Sequence, residues 1–157
     1  MFRIDKDPPV NVAKRYKRKH PVKLLCVEDN ATHRRMIDLM LAATGIDVDF
    51  AENGHEAVVA YQVNEYDAVL MDIQMPGKNG VQAVREIRQM EDGFKLNHTP
   101  ILFLSSLDSE EAIDQGLEAG GDGHLPKPFT SDALFGAIDR VLRTADRGPL
   151  QMLGVCR

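Results

Sequence analysis

Four separated sites along the chain carry residue types that could handle a phosphoryl group if the fold brought them together: Glu28-Asp29, Asp72, Ser105-Ser106 and Lys127. Three carboxylates in a common pocket repel one another strongly at intermediate dielectric, so they call for a cation or for proton uptake. All-oxygen ligands suit Mg²⁺, which binds few carboxylates and combines them with water and substrate phosphate. A hydroxyl and an ammonium beside such a site are the remaining parts of phosphoryl transfer, a chemistry that is mostly positioning and charge neutralisation. Asp72 is then the natural nucleophile, because a carboxylate can carry an aspartyl phosphate. If the four sites never met, the same acids would be solvated loop residues.

Bringing them together is a task for strand ends. From Pro21 onward, short apolar runs alternate with segments of helical period, the signature of βα units around a parallel sheet. Lys23–Val27, Asp47–Ala51, Ala68–Asp72, Ile101–Ser105 and Gly123–Leu125 read as strands, the third and fourth apolar enough to be buried on both faces. Thr32–Thr44, His55–Asn64, Val81–Met90, Ser109–Ala119 and Ser131–Thr144 read as helices, with Gly45 placed where a helix end favours a left-handed residue. Glu91–His98 reads as a polar loop. Five such units make an α/β doubly wound sheet, whose ligand site lies at the carboxyl ends of the strands. Glu28-Asp29, Asp72 and Ser105-Ser106 all fall there, and Lys127 follows the fifth strand at once.

Composition narrows the setting. The 157 residues are 43% hydrophobic and 27% charged, enough for one domain with a full core. We expect a basic arm over residues 1–20, a body over 21–146 and a tail over 147–157. The arm holds seven Lys/Arg against Asp5 and Asp7, and the remainder holds twelve Lys/Arg against twenty-two Asp/Glu. An acidic body disfavours broad nucleic-acid binding. Cys26 and Cys156 show no zinc or disulfide spacing, which fits a reducing cytoplasm, and Cys26 reads as a small core residue. No run approaches the ~18 apolar residues of a membrane span. Neither GxGxxG nor GxxxxGK is present to cradle a nucleotide.

With these motifs in order, the chain resembles the receiver domains of two-component response regulators and hybrid histidine kinases. The resemblance covers Val22 to Thr144 and rests on Leu24-Leu25-Cys26-Val27-Glu28-Asp29-Asn30, on Met71-Asp72-Ile73-Gln74-Met75-Pro76-Gly77-Lys78-Asn79-Gly80, on Ser105, and on Lys127-Pro128-Phe129. It implies a flavodoxin-like five-stranded parallel sheet in the order 2-1-3-4-5. It implies Asp72 as phosphoacceptor and Glu28, Asp29, Asp72 and the Gln74 backbone carbonyl as Mg²⁺ ligands. Ser105 takes the switch-hydroxyl position, Lys127 contacts phosphate, and Lys127-Pro128 matches a cis peptide that aims it. Gln74 and Ser106 are expected to tune dephosphorylation. The donor would be a histidine kinase or a histidine phosphotransfer protein, and the output a changed binding face for a downstream protein.

Departures from the family pattern bear on that expectation. Pro126 precedes the lysine, tolerable in a short edge strand. His124 stands where the family usually has an aromatic switch partner, and it also reads as a plain edge-strand histidine. Helix Ser109–Ala119 and the turn before it are acidic, and Arg140 and Arg143 on the last helix offer partners for a homodimer through the last two helices. Within the arm, Val12 and Tyr16 share a helical face, suiting a partner-docking or self-docking element. A haloacid-dehalogenase-type phosphatase would want an acid two residues after the nucleophile, where Gln74 stands. A pseudo-receiver that only binds partners is disfavoured by the complete set of acids, hydroxyl and lysine. Residues 147–157 are too short to fold as a DNA-binding output domain, so a stand-alone receiver is favoured over an excised hybrid receiver.

Overall fold

The short runs read as strands become β1 (Lys23–Val27), β2 (Asp47–Ala51), β3 (Ala68–Asp72), β4 (Ile101–Ser105) and β5 (Gly123–Pro126). The computed structural model describes residues 21–75, 77, 79–106 and 110–153, with side chains as far as Thr144. The basic arm, Ser109 and residues 154–157 with Cys156 lie outside the described residues. All strand pairs are parallel, in the order β2-β1-β3-β4-β5. Every residue of β3 and β4 is buried, as expected of central strands covered on both faces.

Five helices do the covering: α1 (Ala31–Leu41), α2 (Gly54–Val63), α3 (Gly80–Phe94), α4 (Glu110–Ala119) and α5 (Ser131–Leu153). On one face Leu25, Val27, Val69, Met71, Ile101 and Phe103 pack against α2, α3 and α4; on the other Leu24, Cys26, Leu70, Leu102 and Leu104 pack against α1 and α5. The alternation follows from side chains pointing to opposite faces along a strand. Cys26 is a buried free thiol, as its place in the run implied.

Three asparagines fix how the first three helices leave the site edge. Asn30, Asn53 and Asn79 cap α1, α2 and α3 by accepting the N–H groups of His33, Glu56 and Gln82, and Gln82 returns the bond to Asn79 in a capping box. Gly80 has no room for a side chain: a Cβ there would lie 2.4 Å from the Asp72 carbonyl oxygen. That close approach presses the start of α3 against the end of β3. Gly45 and Gly77 adopt φ of 79° and 74°, as the helix end and the turn after Met75 require.

Two expected boundaries need correction. Glu91 is not part of a polar loop, since α3 continues to Phe94 and closes on Lys95 at a left-handed φ of 56° with its N–H bonded to the Glu91 carbonyl. The reason is tertiary: Glu91 is buried and bonded to partners from other elements. The last helix passes Thr144 and runs to Leu153, so part of the expected tail is helical. Leu134, Ile138, Val141 and Leu142 anchor its earlier turns, and elongating an existing helix gains a bond for each residue fixed.

Candidate functional site

The parallel strands deliver their carboxyl ends to one edge. Glu28, just after β1, is fully buried, Asp72 at the end of β3 is 5% exposed, and Ser105 at the end of β4 is fully buried. Asp29 stands exposed beside Glu28, and the carboxylate ligand atoms of Glu28, Asp29 and Asp72 all lie within 4.8 Å of one another. Lys127, one residue past β5, places Nζ 2.9 Å from Glu28 Oε1 and 3.5 Å from Asp72 Oδ2. Its backbone N–H donates to the Ser105 carbonyl at 2.6 Å, and the Lys127-Pro128 peptide is cis. The Gln74 N–H donates to Asp72 Oδ1 at 3.2 Å while its side chain is exposed. Ser106 is half-buried next to Ser105, and His124 is exposed on β5, opposite Phe103 of β4.

Among the described residues one ammonium faces three carboxylates and cannot neutralise them all. Burial and the neighbouring Glu28 charge push the Asp72 carboxyl up to about 7, against the pull of Lys127 and the Gln74 N–H. Burial acts on Glu28 in the same direction, but the hydrogen bond and charge of Lys127, with the Asn30 N–H, hold it below its ordinary value. Burial favours the neutral form of Lys127, but the bond and charge of Glu28 and the charge of Asp72 outweigh it and raise the ammonium above its ordinary value, so it stays charged. The Ser105 hydroxyl meets no hydrogen-bond partner among the described residues. Excess carboxylate, a cationic lysine and an unmet buried hydroxyl together fit a hard divalent cation with a phosphoryl group.

Motif reasoning passed over two residues of the first turn of α1. Arg34 Nη1 donates to the Glu28 carbonyl at 2.8 Å, with Nη2 3.7 Å from Glu52 Oε2. His33 Nδ1 lies 3.5 Å from Glu28 Oε2. The available signal was Asn30: a cap directly after the acidic pair turns the third and fourth following residues back toward the strand end.

Among the described residues, no helix is long and apolar enough to cross a membrane. A family model described as the response regulator receiver domain matches residues 24–139. The chain is similar to response regulator MprA of Mycobacterium sp. (strain KMS), 35% identical over 131 residues that cover 82% of this chain and 55% of MprA. It thus spans about half the length of that relative. The chemotaxis protein CheY of Halobacterium salinarum is 34% identical over 119 residues, covering 76% of this chain and 95% of CheY. Among solved structures, the receiver domain of sensor histidine kinase PA1611 from Pseudomonas aeruginosa PAO1, with a magnesium ion coordinated in its active-site cleft, aligns at a TM-score of 0.71 and 32% identity. That alignment covers 78% of this chain and 98% of that one.

Proposed function

The chain belongs to the receiver-domain family of two-component response regulators, phosphoacceptor signalling domains rather than conventional enzymes, and on that premise we propose that Asp72 is its phosphoacceptor, served by Mg²⁺ held at Glu28, Asp29, Asp72 and the Gln74 carbonyl. The observation that carries the reading is the Asp72 carboxyl itself: buried, pushed up to about 7, and within 4.8 Å of two further acids. When bound, Mg²⁺ supplies the positive charge that keeps Asp72 ionised and lets it approach a dianionic phosphoryl group.

An Asp72 carboxylate oxygen attacks the phosphorus of a phosphohistidine, on a histidine kinase or a histidine phosphotransfer protein. The new O–P bond forms as the P–N bond breaks, and the departing imidazole takes up a proton from solvent. Lys127 exchanges part of its contact with Glu28 and Asp72 for the phosphoryl oxygens. The Ser105 hydroxyl turns to donate to them, which would satisfy an otherwise unmet buried group. Its displacement is the input to the β4, α4 and β5 face, where His124 is the proposed second switch residue and a downstream protein the reader. Gln74, exposed beside Asp72, and Ser106 set the access of the water that removes the phosphoryl group. We take residues 21–146 as the receiver body, working in the cytoplasm, where the free Cys26 thiol is at home. A homodimer through α4 and α5 would draw on Arg140, because Arg143 is already bonded to Asp139 of its own helix.

Acetyl phosphate or a phosphohistidine protein with Mg²⁺ should add the mass of one phosphoryl group to the intact chain. EDTA and Asp72→Asn should each abolish the adduct. An adduct that survives Asp72→Asn would overturn the assignment.

A further inference from the structure

Apolar surface is left uncovered at the end of the domain opposite the phosphoryl site. Helices α2, α3 and α4 pack on one face of a parallel sheet, so their C-termini gather where the strands begin. Hydrogen bonds hold these ends side by side: Tyr61 of α2 donates to Glu91 of α3, and Arg88 of α3 donates to the carbonyl of Gly120, just past α4. Exposed on this platform are Val63, the last residue of α2, Phe94, the last of α3, Leu96 just beyond it, and Leu117 in the last turn of α4. Phe94 continues the helical spacing of Val84, Ile87 and Glu91, which are buried, yet is itself 75% exposed. The inward stripe of α3 therefore outruns what covers it. Among the described residues, only Leu39 and Val59 are large exposed apolar side chains elsewhere. Such gathering at one end, unlike scattered exposure, marks an interaction surface.

Charge at this end is lopsided. No basic residue stands in the last turn of α2, α3 or α4, so three helix dipoles present their negative ends. Glu65, Asp92 and Glu118 are exposed among them, against Lys95 at the cap of α3. Residues 1–20 join the domain from the same end, at Pro21, directly before the buried Val22 whose carbonyl accepts the Asp47 N–H at the start of β2. They carry seven Lys/Arg against Asp5 and Asp7, with Phe2, Ile4, Val10, Val12 and Tyr16 between them. From β1 to β4 is two strand spacings, ~10 Å, and residues 11–20 alone reach up to about 33 Å when extended. We propose that residues 1–20 dock across Val63, Phe94, Leu96 and Leu117, their apolar side chains covering the platform and their Lys/Arg answering the acids and helix ends. This segment meets both demands of the surface, apolar area and positive charge. The body of a second copy meets only the first, because it holds twelve Lys/Arg against twenty-two Asp/Glu.

The test uses the full chain with a nitroxide on Asn11→Cys in a Cys156→Ser background, Cys26 being buried. In amide NMR spectra of this chain, Val63, Phe94, Leu96 and Leu117 should lose intensity. Residues 42–45, after α1 at the same end but on the opposite face, control for mere tethering and should keep theirs. Phe94→Ser with Leu96→Ser should erase the contrast between the two faces, and melting curves check that this exposed pair leaves the fold intact. Val12→Ser with Tyr16→Ser should erase it from the side of the arm, without touching the folded body. Equal losses on both faces, or a contrast that survives either double variant, overturns the inference. So does intensity loss in an unlabelled isotopic chain mixed with nitroxide-bearing chain, which would make a second copy the occupant. Phosphorylation of Asp72 plays no part in the readout, so failure of the proposed function would leave this result standing.

Discussion

Glu28 and Glu91 are both buried glutamates at opposite edges of one sheet, and their surroundings differ in kind. Glu91 accepts from the Tyr61 hydroxyl at 2.6 Å, the Thr99 N–H at 2.9 Å and Arg88 Nη1 at 2.7 Å. Arg88 in turn donates to the Gly120 and Thr99 carbonyls and to Asp122, which also accepts the Ile101 N–H. Burial and the bond to Glu91 push the Tyr61 hydroxyl up to about 12, so it remains a donor. Every charge in this network is met by an opposite charge or a dipole, and the result ties α2, α3, the end of α4 and the start of β5 together. At the Glu28 edge, by contrast, acids outnumber the ammonium and the buried Ser105 hydroxyl goes unmet among the described residues. A polar cluster that is complete serves as a fastening, whereas one left incomplete is ready for a ligand.

The most damaging way to probe the complete edge is Arg88→Met, which leaves Glu91 and Asp122 without their cation. Unfolding free energy from urea titration should fall by about 3–5 kcal/mol. A loss below about 1 kcal/mol would place the network among ordinary surface pairs and dissolve the contrast.

Gly80→Ala sharpens the other side, because its Cβ would collide with the Asp72 carbonyl oxygen. A cost of about 1–3 kcal/mol is expected, as for overpacked cores, together with slower phosphorylation by acetyl phosphate. Normal phosphorylation kinetics in a destabilised Gly80→Ala would show that the acceptor geometry does not depend on that contact.

Asp72→Asn should have the opposite sign. The folded carboxyl sits at about 7, above an unfolded value near ~3.9, so its protonated form is favoured in the native state. Its stabilising contribution is therefore full below about pH 4 and is lost as pH rises through about 7. In EDTA at pH 8 the variant should be more stable than wild type by about 1 kcal/mol or more, and the gain should shrink as pH falls and vanish only below about pH 4. Mg²⁺ should raise the wild-type melting temperature at pH 8 and leave the variant nearly unmoved. A variant less stable than wild type at pH 8 would mean that the acid cluster is as well compensated as the Glu91 network.

The smallest effect belongs to exposed His124. His124→Tyr should change stability by no more than about 0.5 kcal/mol and leave the phosphoryl adduct intact. Titration of a phosphorylation-dependent partner should nonetheless shift, and an identical binding curve would confine the switch to Ser105.

β1 to β4 were legible to the residue, because an apolar run bounded by turn signals is a local property. The acids, hydroxyl and lysine were legible as types at strand ends, since parallel βα topology collects those ends at one edge whatever the loops do. What the chain could not disclose locally is which polar groups are buried and what they meet. Glu91 looked like a loop residue because its partners Tyr61 and Thr99 lie 30 and 8 residues away. His33 looked like any helix residue until its cap turned it toward Glu28. The close fit of Gly116 and Gly121 on Phe103, where an added Cβ would lie within 2.6 Å and 2.3 Å of the ring, was equally invisible from composition. Periodicity and motif order are written in the chain because they act between neighbours in sequence. Desolvation, pairing and packing act between neighbours in space, so only the folded structure decided which carboxylate is held near neutrality and which is held in a salt bridge.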